Sequence, residues 1–422
     1  MLRTVSAIAA LLLAAAILLA GNGLQATLLA VRGRLEGFPT PLIGLLMSSY
    51  YAGFVAGCRV NPGFIKSVGH IRTFVALASI ASASALAHPL FVNGAAWAIL
   101  RAITGFCFAG LLMIIESWIN ERATNADRGR ILSVYRVVDL GSLTLGNAML
   151  TLADPKGFEL FAIVSILVSI ALVPVALTRS PAPQPIQTAK LDIAALFRLS
   201  PVAAIGTPLS ALANGAFWAV GPVYALALGY DSKTVAFFIS VAVIGAALIQ
   251  WPLGWISDRV DRRRVIVASS MLGSASAIAL SLLGDRSEGF LLLLGGLVGA
   301  WIIPTFGLCA AHANDHASPE NAVSTNGSLL LLHGLGAAGG ATLGGFVISW
   351  FGPPALFIYI GAIYAALAAF CIYRIATAAP VPEQEKTPFV PIPKNTAPTV
   401  FDIAEEDEAE TEAGAAATAP LS

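Results

Sequence analysis

Apolar runs of spanning length recur twelve times along this chain, at roughly residues 5–30, 40–60, 72–91, 94–118, 131–152, 158–179, 201–226, 234–256, 265–283, 288–311, 322–349 and 354–375. About twenty helical residues cross the ~30 Å hydrocarbon core of a bilayer, where every backbone polar group must be bonded within the protein. The expected fold is therefore an all-α membrane protein of twelve transmembrane helices. With 57% hydrophobic and only 11% charged residues, a water-soluble fold would expose far too much apolar surface. The formal net charge is zero, and the charges sit in loops and an acidic tail, so no basic face is offered to nucleic acid. Cys58, Cys107, Cys309 and Cys371 lie in or at the ends of apolar runs without metal-ligand spacing, which reads as small buried hydrophobes. The first run continues through Val31, too long for the core of a signal peptide, and is expected to be kept as the first helix.

An even number of spans puts both termini on one side, and the basic residues choose the side. Seventeen of the 24 Lys and Arg residues fall on the face formed by the termini and the loops after even-numbered runs. Only Arg32, Arg34, Lys156, Lys233 and Arg286 fall on the other, while Arg101 and Arg136 lie inside runs. The basic face is expected to be cytoplasmic, in the inner membrane of a bacterium, with both termini on it. Prolines from Ser180 to Pro201 then divide the chain into a first six-helix bundle (1–179), a linker (180–200), a second bundle (201–376) and a disordered acidic tail (377–422). Within the linker, Leu191 to Arg198 has the pattern of a short interfacial helix.

The densest charge knot is Gly254-Trp-Ile-Ser-Asp258-Arg259-Val-Asp-Arg262-Arg263-Arg264, in the short loop between runs eight and nine. A counterpart, Gly57-Cys-Arg-Val-Asn61-Pro, closes the second run, so that Gly57 and Gly254 stand 197 positions apart and the hydropathy of one half repeats in the other.

At these residues the chain resembles the major facilitator superfamily (MFS). Gly254-x-x-x-Asp258-Arg259-x-x-Arg262-Arg263 matches that superfamily's loop signature, Glu121 followed by Arg128-Gly129 resembles its acid-to-arginine spacing after helix 4, and Arg101-x-x-x-Gly105 resembles the helix 4 arginine motif of proton-coupled branches. Glu116-Ser-Trp-Ile-Asn120, Ala311-His-Ala-Asn-Asp-His316 and Gly327-Ser-Leu-Leu-Leu-Leu-His333 are similar to the YcaD-like branch. The resemblance covers about residues 5–375 and implies two pseudo-symmetric six-helix bundles rocking around a central site. It departs at Asn61, where the first-half signature carries an aspartate, and at Gly141 to Asn147, which lacks the proline of the antiporter motif.

That resemblance makes Gly57, Glu121, Arg128, Gly254, Asp258, Arg259, Arg262 and Arg263 candidates for a cytoplasmic gate, with Asp258 facing Arg262 and Glu121 facing Arg128 or the loop at Lys66. The alternative is that the arginines only fix topology. Ionisable groups inside spans cost at least ~2.5–3.5 kcal/mol each at the bilayer centre, which singles out Arg101, Glu116, Arg136, Asp139 and His333. Glu116 and Arg136 lie at similar shallow depth near the cytoplasmic end and can pair, while Arg136 and Asp139 share a helix face. This group serves either as a static clamp or as a moving gate or proton relay. Arg101, about 10 Å into its helix, has no acid nearby in its own helix. Asn22, Gln25, Asn214, Trp218, Trp301 and Thr305 either line the solute cavity or bond neighbouring helices.

No phosphate-binding glycine loop is present, so the expectation is a monomeric secondary transporter of a small solute within the lipid bilayer. It is coupled to protons or, alternatively, is an uncoupled uniporter of the same fold. No cofactor and no metal is expected beyond the proton gradient. A membrane-embedded enzyme would need more than the His312, Asp315 and His316 cluster, and a membrane sensor has only the acidic tail to support it.

Overall fold

The computed structural model describes residues 2–122, 128–177, 191–379, 386 and 389. The first half contains α1 (Leu2–Leu35), α2 (Thr40–Val68), α3 (His70–Leu90), α4 (Gly94–Arg122), α5 (Arg128–Ala148) and α6 (Glu159–Ala176). The second contains α7 (Pro201–Ala227), α8 (Ser232–Arg259), α9 (Arg262–Leu283), α10 (Glu288–Asn314), α11 (Pro319–Phe351) and α12 (Ala355–Thr377). Among the described residues, eleven of these are long and apolar enough to cross a membrane. The exception is α5, whose Arg128, Arg130, Arg136 and Asp139 dilute its apolar character, and it passes into a 3-10 turn at Met149–Leu152. Ile193–Leu199 forms the short linker helix, capped by Asp192, whose carboxylate accepts the Ala195 N–H at 2.7 Å.

Lipid takes the place of water on the outside of the bundle. Leu248 and Trp251 are 73% and 76% exposed on α8, as Trp350 and Phe351 are at the end of α11. Inside, association cannot draw on the hydrophobic effect and rests on close packing of small residues. In the first half, α2 and α4 approach until a Cβ on Gly53 would overlap the carbonyl of Ala102, and one on Gly105 that of Tyr50. The second half repeats the arrangement between α8 and α10, where Gly245 lies over the Gly296 carbonyl and Gly299 over that of Ala242. This is the internal repeat expressed as geometry.

Contacts between the halves run through α1, α2 and α5 on one side and α7, α8 and α11 on the other. They are tightest at the end of the molecule remote from the Val260-Asp261 turn, hereafter the far end. There Ser48 of α2 donates to the Ala338 carbonyl of α11 at 2.6 Å and lies 2.7 Å from the Thr342 hydroxyl. Gly44 and Gly345 let the two backbones meet.

Because Gly105 and Gly299 meet backbone, which cannot give way as a side chain can, Gly105→Val and Gly299→Val should each destabilise the protein by about 1–3 kcal/mol or more. Gly63, with nothing near its Cα, should accept alanine without loss. Thermal unfolding of the detergent-purified variants checks both.

Candidate functional site

Two small cavities lie between the halves, of about 20 and 40 Å³. They share Tyr51, Leu143 and Trp218 as lining, so they form one central path. Arg136, Asp139, Asn214 and His333 line the first, and Asn22, Thr27, Tyr50, Arg101 and Asn147 line the second. Each is about the size of one water, whose share of liquid volume is ~30 Å³. A solute therefore requires the halves to part.

Arg101 is the least satisfied charged group on this path. It is 2% exposed, its guanidinium lies 4.4 Å from the centroid of the Tyr50 ring, and Nη2 reaches the Met47 sulfur at 3.8 Å. Its Nε and Nη1 have no hydrogen-bond partner among the described residues. Neither do Asn22 Oδ1 and Gln25 Nε2, although the Asn22 amide donates to the Tyr50 hydroxyl at 3.3 Å.

Arg136 does not turn to Glu116 as its depth suggests. It pairs with Asp139 at 2.5 Å on its own helix and donates to Gln250 Oε1 of α8 at 3.1 Å. The reason is angular: Arg136 and Asp139, three apart, share the face toward the other half. Tyr135, one position earlier, faces α4 and donates to Glu116 Oε1 at 3.1 Å. The expected cluster is thus split into an Arg136–Asp139–Gln250 bridge between halves and a Tyr135–Glu116 bond within one.

Other candidates serve the backbone. Pro304 interrupts α10, and the carbonyls freed there are taken up by side chains. Ile302 O accepts from Asn214 at 3.0 Å and from Tyr364 at 2.8 Å, while Trp301 O accepts from Ser269 and Thr305. Trp301 and Thr305 therefore belong to the bend and not to the cavity wall, whereas Asn214 does both. His333 lies against Phe306, ring centroids 4.4 Å apart, on the first cavity. Tyr50, Tyr51, Asn147 and Gln250 also meet at the path or the bridge, and no sequence motif singles them out. The pair of adjacent tyrosines within an apolar span was the available signal.

The signature charges bind chiefly within their own half. Arg262, 1% exposed, joins Asp258 at 3.0 Å, Ser257 at 2.7 Å and Asp315 of α10 at 2.6 Å. Arg263 pairs with Asp261 at 2.7 Å and donates to the carbonyls of Arg374 and Ala378. Burial pushes the Asp261 carboxyl up, but the bonds and charge of Arg263 outweigh it and hold it below the ordinary value. Arg259 stacks on Trp255 at 4.0 Å. Gly57 serves as a close contact with Phe106 and Ala109 of α4, and Asn61 donates to the Phe106 carbonyl at 3.0 Å. Glu121 is exposed, and the side chain of Arg128 lies outside the described residues. Two tail residues expected to be solvated are instead anchored: the Phe389 N–H donates to Asp258 at 3.0 Å with its ring against Gly254, and Lys386 donates to the Val260 carbonyl at 2.7 Å. In the His312 cluster the functional groups are engaged by protein, with His312 on Ser200 at 2.9 Å and Asp315 on Arg262.

A family model described as Major Facilitator Superfamily matches residues 203–404. The uncharacterized MFS-type transporter YcaD of Escherichia fergusonii is 23% identical over 330 residues, 78% of this chain and 85% of that protein. The crystal structure of the nucleoside transporter NupG superposes with a TM-score of 0.75 at 16% identity, covering 88% of this chain and all of that one. A bacterial homologue of the lysosomal transporter Spinster, in an inward-facing and occupied conformation, gives a TM-score of 0.70 at 14% identity over 89% and 97% of the two chains. The chain has the fold of the major facilitator superfamily, and its second half matches that superfamily's family model. It is a multi-pass membrane protein, with the YcaD-type proteins among those it resembles.

The Arg136–Asp139 pair yields a direct test. Removing one partner leaves a buried charge uncompensated, so Arg136→Gln alone should cost about 3–5 kcal/mol. The double variant Arg136→Gln with Asp139→Asn should recover most of that loss, measured by thermal or denaturant unfolding in a double-mutant cycle.

Proposed function

We propose that this chain is a secondary active transporter that carries a small solute bearing a negative charge across the bacterial inner membrane by alternating access. The observation that carries the proposal is Arg101, a buried guanidinium with two unpaired N–H donors facing the central path. A carboxylate or phosphate suits this group, because it can accept from either donor and supply the missing counter-charge. Asn22 offers a further polar group in the same cavity, and the ring of Trp218 gives an apolar wall between the cavities. NupG transports nucleosides, by its name, but the arginine favours an anionic or zwitterionic solute over a neutral one.

Coupling to protons is the second part of the proposal, and Asp139 is its candidate carrier. Protonating that carboxylate would weaken its hold on Arg136, and with it the bridge to Gln250 across the halves. A proton taken up at Asp139 would thus loosen the contact between halves nearest the signature-loop end, while the Ser48–Ala338 contact closes the other. The orientation proposed here, with termini and signature loop cytoplasmic, rests on the distribution of basic residues.

Screening metabolites by thermal shift on the purified protein tests the first part. A solute at a hundred times its dissociation constant stabilises the folded state by about 2.7 kcal/mol. Stabilising compounds should be anions, and Arg101→Gln should lose the response while Arg101→Lys keeps part of it. Neutral solutes that stabilise wild type and Arg101→Gln equally would contradict the proposal. Uptake of such an anion into proteoliposomes should follow an imposed pH gradient in wild type and become independent of it in Asp139→Asn; gradient-independent uptake by wild type would identify a uniporter.

A further inference from the structure

A third cavity, of about 230 Å³, lies wholly outside the solute path, at the signature-loop end of the second half. Four segments distant in sequence meet there: the linker helix and its end with Arg198 and Ser200, the loop at Asp261 to Arg263, the end of α10 with His312, Asp315 and His316, and the end of α12 with Arg374 and the residues beyond it. Five cationic side chains line it against two carboxylates. Both carboxylates are already consumed, Asp261 by Arg263 and Asp315 by Arg262. Arg198, Arg374 and Lys386 are left without a carboxylate partner among the described residues. Among the described residues the buried Nε of Arg374 has no hydrogen-bond partner, and Lys386 donates to the Val260 carbonyl.

Like charges gathered around one enclosure repel, and the repulsion is strong where water is scarce. A polyvalent anion relieves it. The cavity is several times the ~30 Å³ share of one water, room enough for a tetrahedral oxyanion with part of its ester. Guanidinium groups supply the planar, forked donors that suit phosphate oxygens, and two of the three unpartnered cations are arginines.

We propose that this cavity is a binding site for a phosphate-bearing anion, held by Arg198, Arg374 and Lys386, that fastens the linker helix to the second half. The cavity sits where the spans end, at the level of lipid headgroups. Its occupant is therefore either the phosphate of an anionic lipid or a free phosphate or phosphate ester. Neither source involves Arg101 or the solute path, so the site stands independently of the transport proposal.

The test uses the purified full-length protein with two probes. Inorganic phosphate binding is measured by equilibrium dialysis with radiolabelled phosphate at fixed ionic strength, and lipid retention by native mass spectrometry after reconstitution in phosphatidylcholine with or without phosphatidylglycerol. Arg198→Gln and Arg374→Gln are compared with Arg286→Gln, which makes the same charge change in an exposed loop at the far end. Saturable phosphate binding that weakens at least tenfold in the first two variants but not in Arg286→Gln assigns the site to free phosphate. Retention of phosphatidylglycerol by wild type and Arg286→Gln, lost in the other two, assigns it to lipid. If neither probe separates the site variants from Arg286→Gln, the proposal fails. Arg198 is exposed on the linker helix, so its variant decides the matter even if Arg374→Gln does not fold.

Discussion

The packing of α2 against α11 across the two halves is the contact on which the arrangement turns. Gly44 and Gly345 bring the backbones together, and Ser48 bonds both a carbonyl and a hydroxyl of the opposing helix. In hydrocarbon an apolar surface gains little by meeting another, so steric fit and a few hydrogen bonds must hold this contact. Such bonds are worth about 0.6 kcal/mol on average in membrane proteins, and at most ~1.7. A contact of that strength closes one end of the path yet can be released within a transport cycle.

Within each half the packing is of another kind. The glycine pairs of α2 with α4 and of α8 with α10 place backbone on backbone, and buried charge binds the second half through Arg262 at the junction of α8, α9 and α10. Rigid halves joined by a weak seam are what rocking around a central site requires. The signature arginines contribute by stiffening the second half, and Asp258 holds the Phe389 segment against α8 at the same place.

Much of this was legible in the sequence. The spacing of apolar runs gave the helices, because length and hydropathy suffice in a bilayer, and it located even α5, whose charges keep it from counting as a span by composition. The intramembrane charges stand out in the sequence, since burial makes each of them expensive wherever it lies. Their partners were not readable in the same way. Arg136 and Glu116 share a depth, but depth says nothing of the angle around the helix, and one step of about 100° sends Tyr135 to Glu116 and Arg136 to the opposite half. Trp301 and Thr305 looked like cavity residues because they are polar or amphipathic in a span. Pro304 beside them carried the better explanation, a bend whose carbonyls need donors. Tyr50 and Tyr51 were passed over because aromatic residues in an apolar run usually face lipid or core.

The account stands on the far-end seam parting and re-forming. Spin labels at Phe91→Cys and Phe351→Cys, on far-end loops of opposite halves, report its width by pulsed electron resonance in nanodiscs. Two distance populations are predicted, with the longer one gaining weight when Ser48→Ala removes the bonds to Ala338 and Thr342. A single distribution, unmoved by that change or by pH, would contradict it.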